Sequence, residues 1–326
     1  MTKSTQLPKV GLIGLGNMGR HHARLLAASK HCELFCVCDL NLQKAQECAS
    51  VYNIPVVTQN PSELFSQVDM VFIAASTHMH LPFIQEALAQ SRGVFVEKPL
   101  CLSLNEANEI KKIAKQQKKV IFVGHLLQYH NAFNELKKNL NLGKIGKLKI
   151  IKSNRLNFGS IRDSESVLYD LTSHDISMVL SIIKELPKKV EINAVFKYSK
   201  KIADCINVIL YFHKDVIAIL NSDWISPYKE HRFSVFGSNG SLIFDDLRDW
   251  PEKLIFNPSS INFDKKITQK PLTAIHVTKH EPLKQEIEAF LNCVANKQTP
   301  TTDIEEALNV QIVLSMIEEK LKEKYF

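Results

Sequence analysis

One six-residue run, Gly14-Leu15-Gly16-Asn17-Met18-Gly19, restricts the fold of this chain more than any other stretch of it. It follows the apolar segment Val10 to Ile13 and opens a stretch, Met18 to Ser29, whose apolar residues recur at helical spacing. Each glycine has its own task there. Gly14 makes the tight turn, Gly16 lets backbone amides approach a pyrophosphate, and Gly19 lets helix and strand pack closely. The helix N-terminus, with Asn17 and Met18 in its first turn, offers amides and a dipole to phosphate. Glycines at this spacing between a strand and a helix specify a dinucleotide-binding unit rather than a turn that only links the two elements.

Asp39, twenty residues after Gly19, ends the second expected strand. A carboxylate there accepts the hydroxyls of an adenosine ribose and repels a 2'-phosphate. Leu40 and Asn41 follow it with no arginine, which favours NAD over NADP. A strand-end turn residue is the plainer alternative for Asp39.

At 326 residues the chain exceeds what one hydrophobic core usually serves, so two domains are expected. Short apolar runs predict strands at Val10 to Ile13, Glu33 to Asp39, Val56 to Thr58, Met70 to Ala74, Val94 to Glu97 and Val120 to Gly124. Helical spacing predicts helices at Met18 to Ser29, Leu42 to Tyr52, Leu81 to Ser91 and Ser103 to Gln117, the last with a capping box formed by Ser103 and Glu106. Strands alternating with helices mean a parallel sheet covered on both faces, an α/β Rossmann domain over residues 1–124. Beyond it the pattern changes to a helix ending at Gly143, a long strand Lys147 to Phe158, a helix Leu168 to Lys184, and alternating strands joined by turns such as Ser238-Asn239-Gly240. That pattern predicts an α+β domain with a mostly antiparallel sheet over residues 125–326, closed by two helices within residues 282–326.

Composition narrows the partners. A net charge of +7 with scattered lysines suits a solvated surface and an anionic ligand, and no aromatic array interleaved with arginine speaks for nucleic acid. The seven cysteines lack the paired spacing of a zinc site or a disulfide framework and read as small buried residues in a reducing cytoplasm. Met1 to Lys9 is too polar for a signal peptide, and no apolar run reaches the roughly 20 residues of a membrane span.

Two further places carry chemistry. The fifth strand runs into Glu97-Lys98-Pro99, which puts a lysine at the carboxyl edge of the sheet, where open parallel sheets bind ligands. Farther on, Asp170-Leu171-Thr172-Ser173-His174 sets a carboxylate and an imidazole four residues apart on one helical face. An ordinary surface lysine and a helix-surface ion pair are the plainer readings.

The glycine turn, the Glu97-Lys98-Pro99 tripeptide and the Asp170/His174 pair together resemble the Gfo/Idh/MocA family, the glucose-fructose oxidoreductase and inositol dehydrogenase group, over nearly the whole chain. Val123-Gly124, the run Leu142 to Gly146, the run Val235 to Gly240 and Glu281-Pro282-Leu283 extend the likeness. The resemblance implies an open-faced sheet in the second domain, NAD as cofactor, and oxidation of a sugar or cyclitol hydroxyl. Residue by residue it implies that Lys98 and His174 line the substrate, that Asp170 assists, and that Glu97, Lys98 and Pro99 shape the nicotinamide pocket. The loop Ala75 to His80 matches the family's loop after the fourth strand and brings Ser76, Thr77 and His80 to the cofactor, though the usual Pro-Asn pair is missing. Gln128 and Tyr129 also stand where many members carry arginine and phenylalanine.

The stretch from Ile161-Arg162-Asp163 to Ser177 looks like the branch that handles nucleotide-linked amino sugars. On that reading Arg155, Arg162, Lys229 and Arg232 are candidate diphosphate contacts, because a guanidinium grips phosphate with two parallel bonds; Arg162 is preferred since it precedes the Asp170 helix, and a surface residue is the plainer reading of each. In the expected reaction a neutral Lys98 or His174 takes the hydroxyl proton as the hydride goes to nicotinamide. The rival readings are a keto-sugar or other carbonyl reductase of the same fold using NAD(P)H, and a dinucleotide sensor without catalysis. No metal site is expected, since His78 and His80 have no third ligand, and a homodimer or homotetramer through the second-domain sheet is.

Overall fold

Strands that read as continuous apolar runs form the first sheet, because a parallel strand is covered on both faces. The computed structural model describes residues 7–159, 161–162, 166–261 and 264–326. Asp163 of the stretch singled out above lies outside the described residues. Six parallel strands, β1 (Lys9–Ile13), β2 (Glu33–Cys38), β3 (Val56–Thr58), β4 (Met70–Ile73), β5 (Gly93–Glu97) and β6 (Val120–Gly124), lie in the order β3-β2-β1-β4-β5-β6. Every residue of β4 and β5 is buried. The order reverses at β1, so the crevice above the carboxyl ends of β1 and β4 is where a ligand of such a sheet binds.

Helices α1 (Asn17–Ala27), α2 (Leu42–Tyr52), α3 (Pro61–Phe65), α4 (His80–Gln90) and α5 (Leu104–Gln117) connect these strands. The short α3 has no counterpart in the sequence reading; Asn60 caps it and proline opens it. Ser103 caps α5 by accepting the Glu106 N–H at 3.2 Å, while the Glu106 carboxylate reaches back to the N–H of Leu102, one residue ahead of the cap.

In the second unit, α6 (Asn131–Asn141), a π-helical turn over Leu168–Thr172 and α7 (Ser173–Ile183) accompany an eight-stranded sheet. Its strands are β7 (Leu148–Phe158), β8 (Lys189–Val195), β9 (Cys205–Tyr211), β10 (Ile217–Asp223), β11 (Ile225–Gly237), β12 (Ser241–Asp245), β13 (Leu254–Asn257) and, after the small hairpin β14 (Ser260–Ile261) and β15 (Ile267–Thr268), β16 (Thr273–Ile275). The order is β16-β13-β12-β11-β7-β10-β9-β8, antiparallel throughout except for the parallel pair β7 and β10. Residues along β7, β9 and β10 alternate between buried and partly exposed, as in a sheet with one covered face.

The closing helices α8 (Pro282–Asn296) and α9 (Ile304–Tyr325) do not both belong to the second unit, as the sequence reading had it. The chain divides into one unit of Met1–Leu126 with Leu283–Gln311 and another of Leu127–Pro282 with Ile312–Phe326. Aromatic packing explains the reassignment of α8. Phe72, Phe95 and Phe122 stand in register across β4, β5 and β6 with their rings stacked at 4.7 and 5.2 Å, and Phe290 of α8 meets all three edge-on at 5.0 to 5.9 Å. Each such pair adds about 0.5–1.5 kcal/mol beyond burial. Among the described residues no helix is long and apolar enough to cross a membrane.

Candidate active site

The glycine turn is built as the spacing requires, and each glycine is needed for its own reason. Gly14 has φ +88°, and a Cβ there would sit 2.6 Å from the Ala74 carbonyl oxygen. A Cβ on Gly19 would come within 1.9 Å of the Gly14 oxygen, so helix and turn touch through bare backbone. At Gly16 a Cβ meets nothing within 4 Å. Gly16 precedes the first turn of α1, and both it and Asn17 are exposed, with Met18 half-buried behind them. Open backbone at a helix N-terminus is what a pyrophosphate needs, and so the turn fits a dinucleotide.

Asp39 follows β2 and does two things at once. Its Oδ2 accepts the N–H of Leu15 at 2.7 Å, which ties the glycine turn to the second strand, and its Oδ1 accepts the N–H of Asn41 at 2.8 Å. Asp39 also lines a cavity of about 380 Å³ with Gly14, Gly16, Ser76 and His78. Lys44 and Gln59 share that cavity, and inspection of the two residues after Asp39 does not reach either of them. Lys44 stands in the first turn of α2, whose N-cap Asn41 accepts its N–H at 3.2 Å.

His80 does not reach the cavity, contrary to the expectation that it meets the cofactor. It is 1% exposed, with Nδ1 at 3.0 and 3.2 Å from the carbonyl oxygens of Pro99 and Leu100 and Nε2 at 3.1 Å from that of Ala75. Burial lowers the pKa of the ring, opposed by these carbonyls. His80 therefore laces the loop after β4 to the loop after β5. Of its neighbours, Ser76 is exposed and Thr77 buried. Among the described residues no group of three His, Cys, Asp or Glu is placed to hold a metal.

Lys98 and His174 share a property that burial reveals. From Gly93 to Cys101 every residue is buried except Lys98, and from Leu171 to Leu180 every residue is buried except His174. Each is the one side chain of its stretch with access to solvent. Glu97 is buried, with Oε1 2.6 Å from Nε2 of His22 and Oε2 accepting the Lys98 N–H at 3.3 Å, and Pro99 is buried beside it.

Asp170 lies in the π turn, so the sequence reading of one regular helix over Leu168 to Lys184 is corrected: the backbone widens for a turn before α7 begins. Such turns recur at functional sites. Asp170 is gripped on both oxygens, by Arg162 at 2.9 Å and by the indole Nε1 of Trp224 at 3.0 Å. Arg155 is not open to a diphosphate as expected. Its guanidinium makes paired bonds of 2.8 to 3.2 Å to Asp175, and both side chains are buried. Arg232 is held by Asp245 and Glu230, while Lys229 is exposed.

Three residues near these groups gave no signal in the sequence. His231 pairs with Arg155 across β11 and β7, and burial, with Arg155 and Lys229 adding to it, pushes its imidazole down to about 4, so it is neutral at pH 7. His22 and Glu286 are the others, both wholly buried. Each owes its surroundings to strands and helices distant in sequence.

Comparison with known proteins agrees with this architecture. The chain is 25% identical over 254 residues to myo-inositol 2-dehydrogenase of Thermotoga maritima, covering 74% of this chain and 76% of the relative. It is 25% identical over 319 residues to scyllo-inositol 2-dehydrogenase (NAD(+)) of Bacillus subtilis, covering 93% and 91%. The solved structure of UDP-N-acetylglucosamine 3-dehydrogenase from Acidithiobacillus ferrooxidans superposes with a TM-score of 0.85 at 22% identity, over 98% of this chain and 99% of that one. Residues 8–125 match the family model described as "Oxidoreductase family, NAD-binding Rossmann fold", and residues 133–243 match that of the "GFO/IDH/MocA C-terminal domain". The chain belongs to the Gfo/Idh/MocA family of NAD-binding oxidoreductases.

Proposed function

We propose that this protein oxidises a secondary hydroxyl of a sugar, a cyclitol or a nucleotide-linked sugar to the ketone, with NAD as the acceptor. Bound at the glycine turn, NAD supplies the carbon that takes the hydride. The chain's own part is to fix the pyrophosphate on the amides after Gly16, to hold the adenosine ribose at Asp39, and to take the hydroxyl proton. Lys98 and His174 are the groups suited to that last step. The observation that carries the reading is their accessibility, one amine and one imidazole left open in stretches otherwise closed to solvent. Ser76 and Thr77 would border the cofactor, and Glu97 and Pro99, either side of Lys98 in sequence, would shape the nicotinamide pocket. Asp170, gripped by Arg162 and Trp224, supports the His174 helix as a fixed charge.

The relatives named above act on inositols and on a UDP-linked amino sugar, which sets the range of substrates to try. Both arginines singled out for a diphosphate are engaged by carboxylates, Arg155 in a buried pair and Arg162 in a half-exposed one. Of the two, Arg162 is the one exposed enough to turn outward, and Asp170 would then keep its bond from Trp224. A screen of cyclitols, free sugars and nucleotide sugars for NADH formation tests the proposal, and silence across all three classes sinks it. With a substrate in hand, Lys98→Ala is expected to lower turnover by about 100 to 10,000-fold while NAD still binds. Near-normal turnover would remove Lys98 from the chemistry.

A further inference from the structure

On the wall of the dinucleotide cavity, Lys44 stands at the wrong end of its helix for a cation. Asn41 caps α2, which makes Lys44 the third helical residue, and the first turn carries no acidic side chain. A positive charge there faces the positive pole of the helix dipole, an arrangement that costs stability unless an anion joins it. Among the described residues no carboxylate holds the Lys44 amine, and Glu47, three residues on, accepts instead from the Gln43 amide at 2.9 Å. The amine therefore lines the cavity, with Asp39 and Gly16, as a cation without a counter-ion.

The shelf from Asp39 to Lys44 is pinned at three points. Asp39 Oδ1 accepts the Asn41 N–H at 2.8 Å, the Gln59 amide donates to the Leu40 carbonyl at 2.7 Å, and Asn41 Oδ1 accepts the Lys44 N–H at 3.2 Å. Strand end and helix start thus keep a fixed spacing. Asp39 is itself tempered, because each of its oxygens already accepts a main-chain N–H, Oδ2 from Leu15 at 2.7 Å and Oδ1 from Asn41. Those dipoles offset part of the negative charge that a phosphate on the ribose would meet.

We propose that Lys44 sets the cofactor choice of this chain: its ammonium takes the 2'-phosphate of NADP beside Asp39, so that the site accepts the phosphorylated cofactor as well as NAD. The proposal rests on the reading of the glycine turn and Asp39 as the seat of a dinucleotide. An acid at the end of the second strand serves the ribose hydroxyls of NAD, and a neighbouring cation is what accommodates the extra phosphate of NADP. Leu40 and Asn41, directly after Asp39, offer no cation, and it arrives instead in the first turn of α2. Lysine meets a phosphate as a point charge with three donors on a flexible stem, so it needs no forked geometry to do so. The phosphate in turn supplies the anion that the N-terminus of α2 lacks, with the sign its dipole favours.

Titrations of NADPH and NADH against the full chain, read by cofactor fluorescence, test this without a substrate. NADPH is expected to bind the wild type saturably. In Lys44→Gln its dissociation constant should rise by about tenfold or more, as the loss of one charge-assisted bond requires, while that of NADH is little changed. Lys44→Glu should weaken NADPH further. Because Lys44 opposes the helix dipole, Lys44→Gln should melt no lower than the wild type. Added salt should weaken NADPH more than NADH in the wild type, and this extra sensitivity should shrink in Lys44→Gln. The assignment is overturned if the wild type shows no saturable NADPH binding, if NADPH affinity ignores the charge at position 44, or if Lys44→Gln loses both cofactors alike. The two cofactors also separate the two readings. Failure of NADH alone to bind refutes NAD as the acceptor and leaves Lys44 in its role, whereas failure of NADPH alone refutes that role and leaves the proposed function intact.

Discussion

The glycine turn of the first unit and the Asp170–His174 segment of the second are held in place by opposite means. In the turn, shape comes from excluded space: Gly14 and Gly19 stand where any Cβ would strike backbone, and Asp39 and the Cys38 carbonyl complete the turn through main-chain N–H groups. In the segment, shape comes from side-chain charge. Asp170 hangs between Arg162 and Trp224, and Asp175, one residue beyond His174, is clasped by Arg155. A site held by sterics fails when an atom is added, whereas one held by ion pairs fails when a partner is taken away. Two of the ion pairs differ sharply in depth, since Arg155 and Asp175 are 10% and 0% exposed at the side chain while Arg162 and Asp170 are 49% and 13%.

That difference in depth sets the largest expected effect. Arg155→Leu would leave the Asp175 carboxylate buried without its cation, which costs about 3–5 kcal/mol. Denaturant melts of the variant should show it. Because burying both ions has its own cost, adding Asp175→Leu to the same chain should recover most of the loss. If Arg155→Leu is no worse than a typical surface change, the division between buried and exposed charge in this unit is broken.

The turn should respond to addition instead. Gly19→Ala forces a methyl to within 1.9 Å of the Gly14 oxygen and is expected to cost about 3 kcal/mol with loss of NAD binding. Gly16→Ala has open space around its Cβ and a φ of −66°, so the fold should be kept. There the methyl stands where the pyrophosphate approaches, and NAD affinity alone should drop. Melting temperature and NAD titration on the two variants separate the cases, and equal behaviour would erase the distinction between a structural glycine and a ligand-facing one.

This contrast also explains how legible each region was in the sequence. Glycine tasks are local: the strand before Gly14 and the helix after Gly19 are enough to read them, and the turn formed as its spacing says. Lys98 was legible for a similar reason, because the end of a parallel strand is a defined place. Arg155 was not, since its partner is 20 residues away on a helix and only the packing of α7 against β7 brings the two together. His80 failed in the same way. Its neighbours in sequence suggest the cofactor loop, yet three carbonyls from two loops fold it inward. Membership of α8 in the first unit depended on Phe290 finding the Phe72-Phe95-Phe122 row, a match across some 170 to 220 positions that no periodicity reports.

The smallest effect on stability is expected at Arg162, and there it carries the most information about substrate. Half-exposed ion pairs contribute below about 1 kcal/mol, so Arg162→Ala should melt close to the wild type. Asp170 keeps its bond from Trp224 and stays partly fixed. If the substrate is a free sugar or cyclitol, turnover by the variant changes only through Asp170 and is expected to fall by a few fold. If it is a nucleotide sugar, the guanidinium leaves Asp170 to grip the diphosphate, and Arg162→Ala raises KM by tenfold or more, as a charge-assisted bond of about 1.5–3 kcal/mol requires. The KM ratio between wild type and variant therefore reads the substrate class from a residue whose removal hardly disturbs the fold.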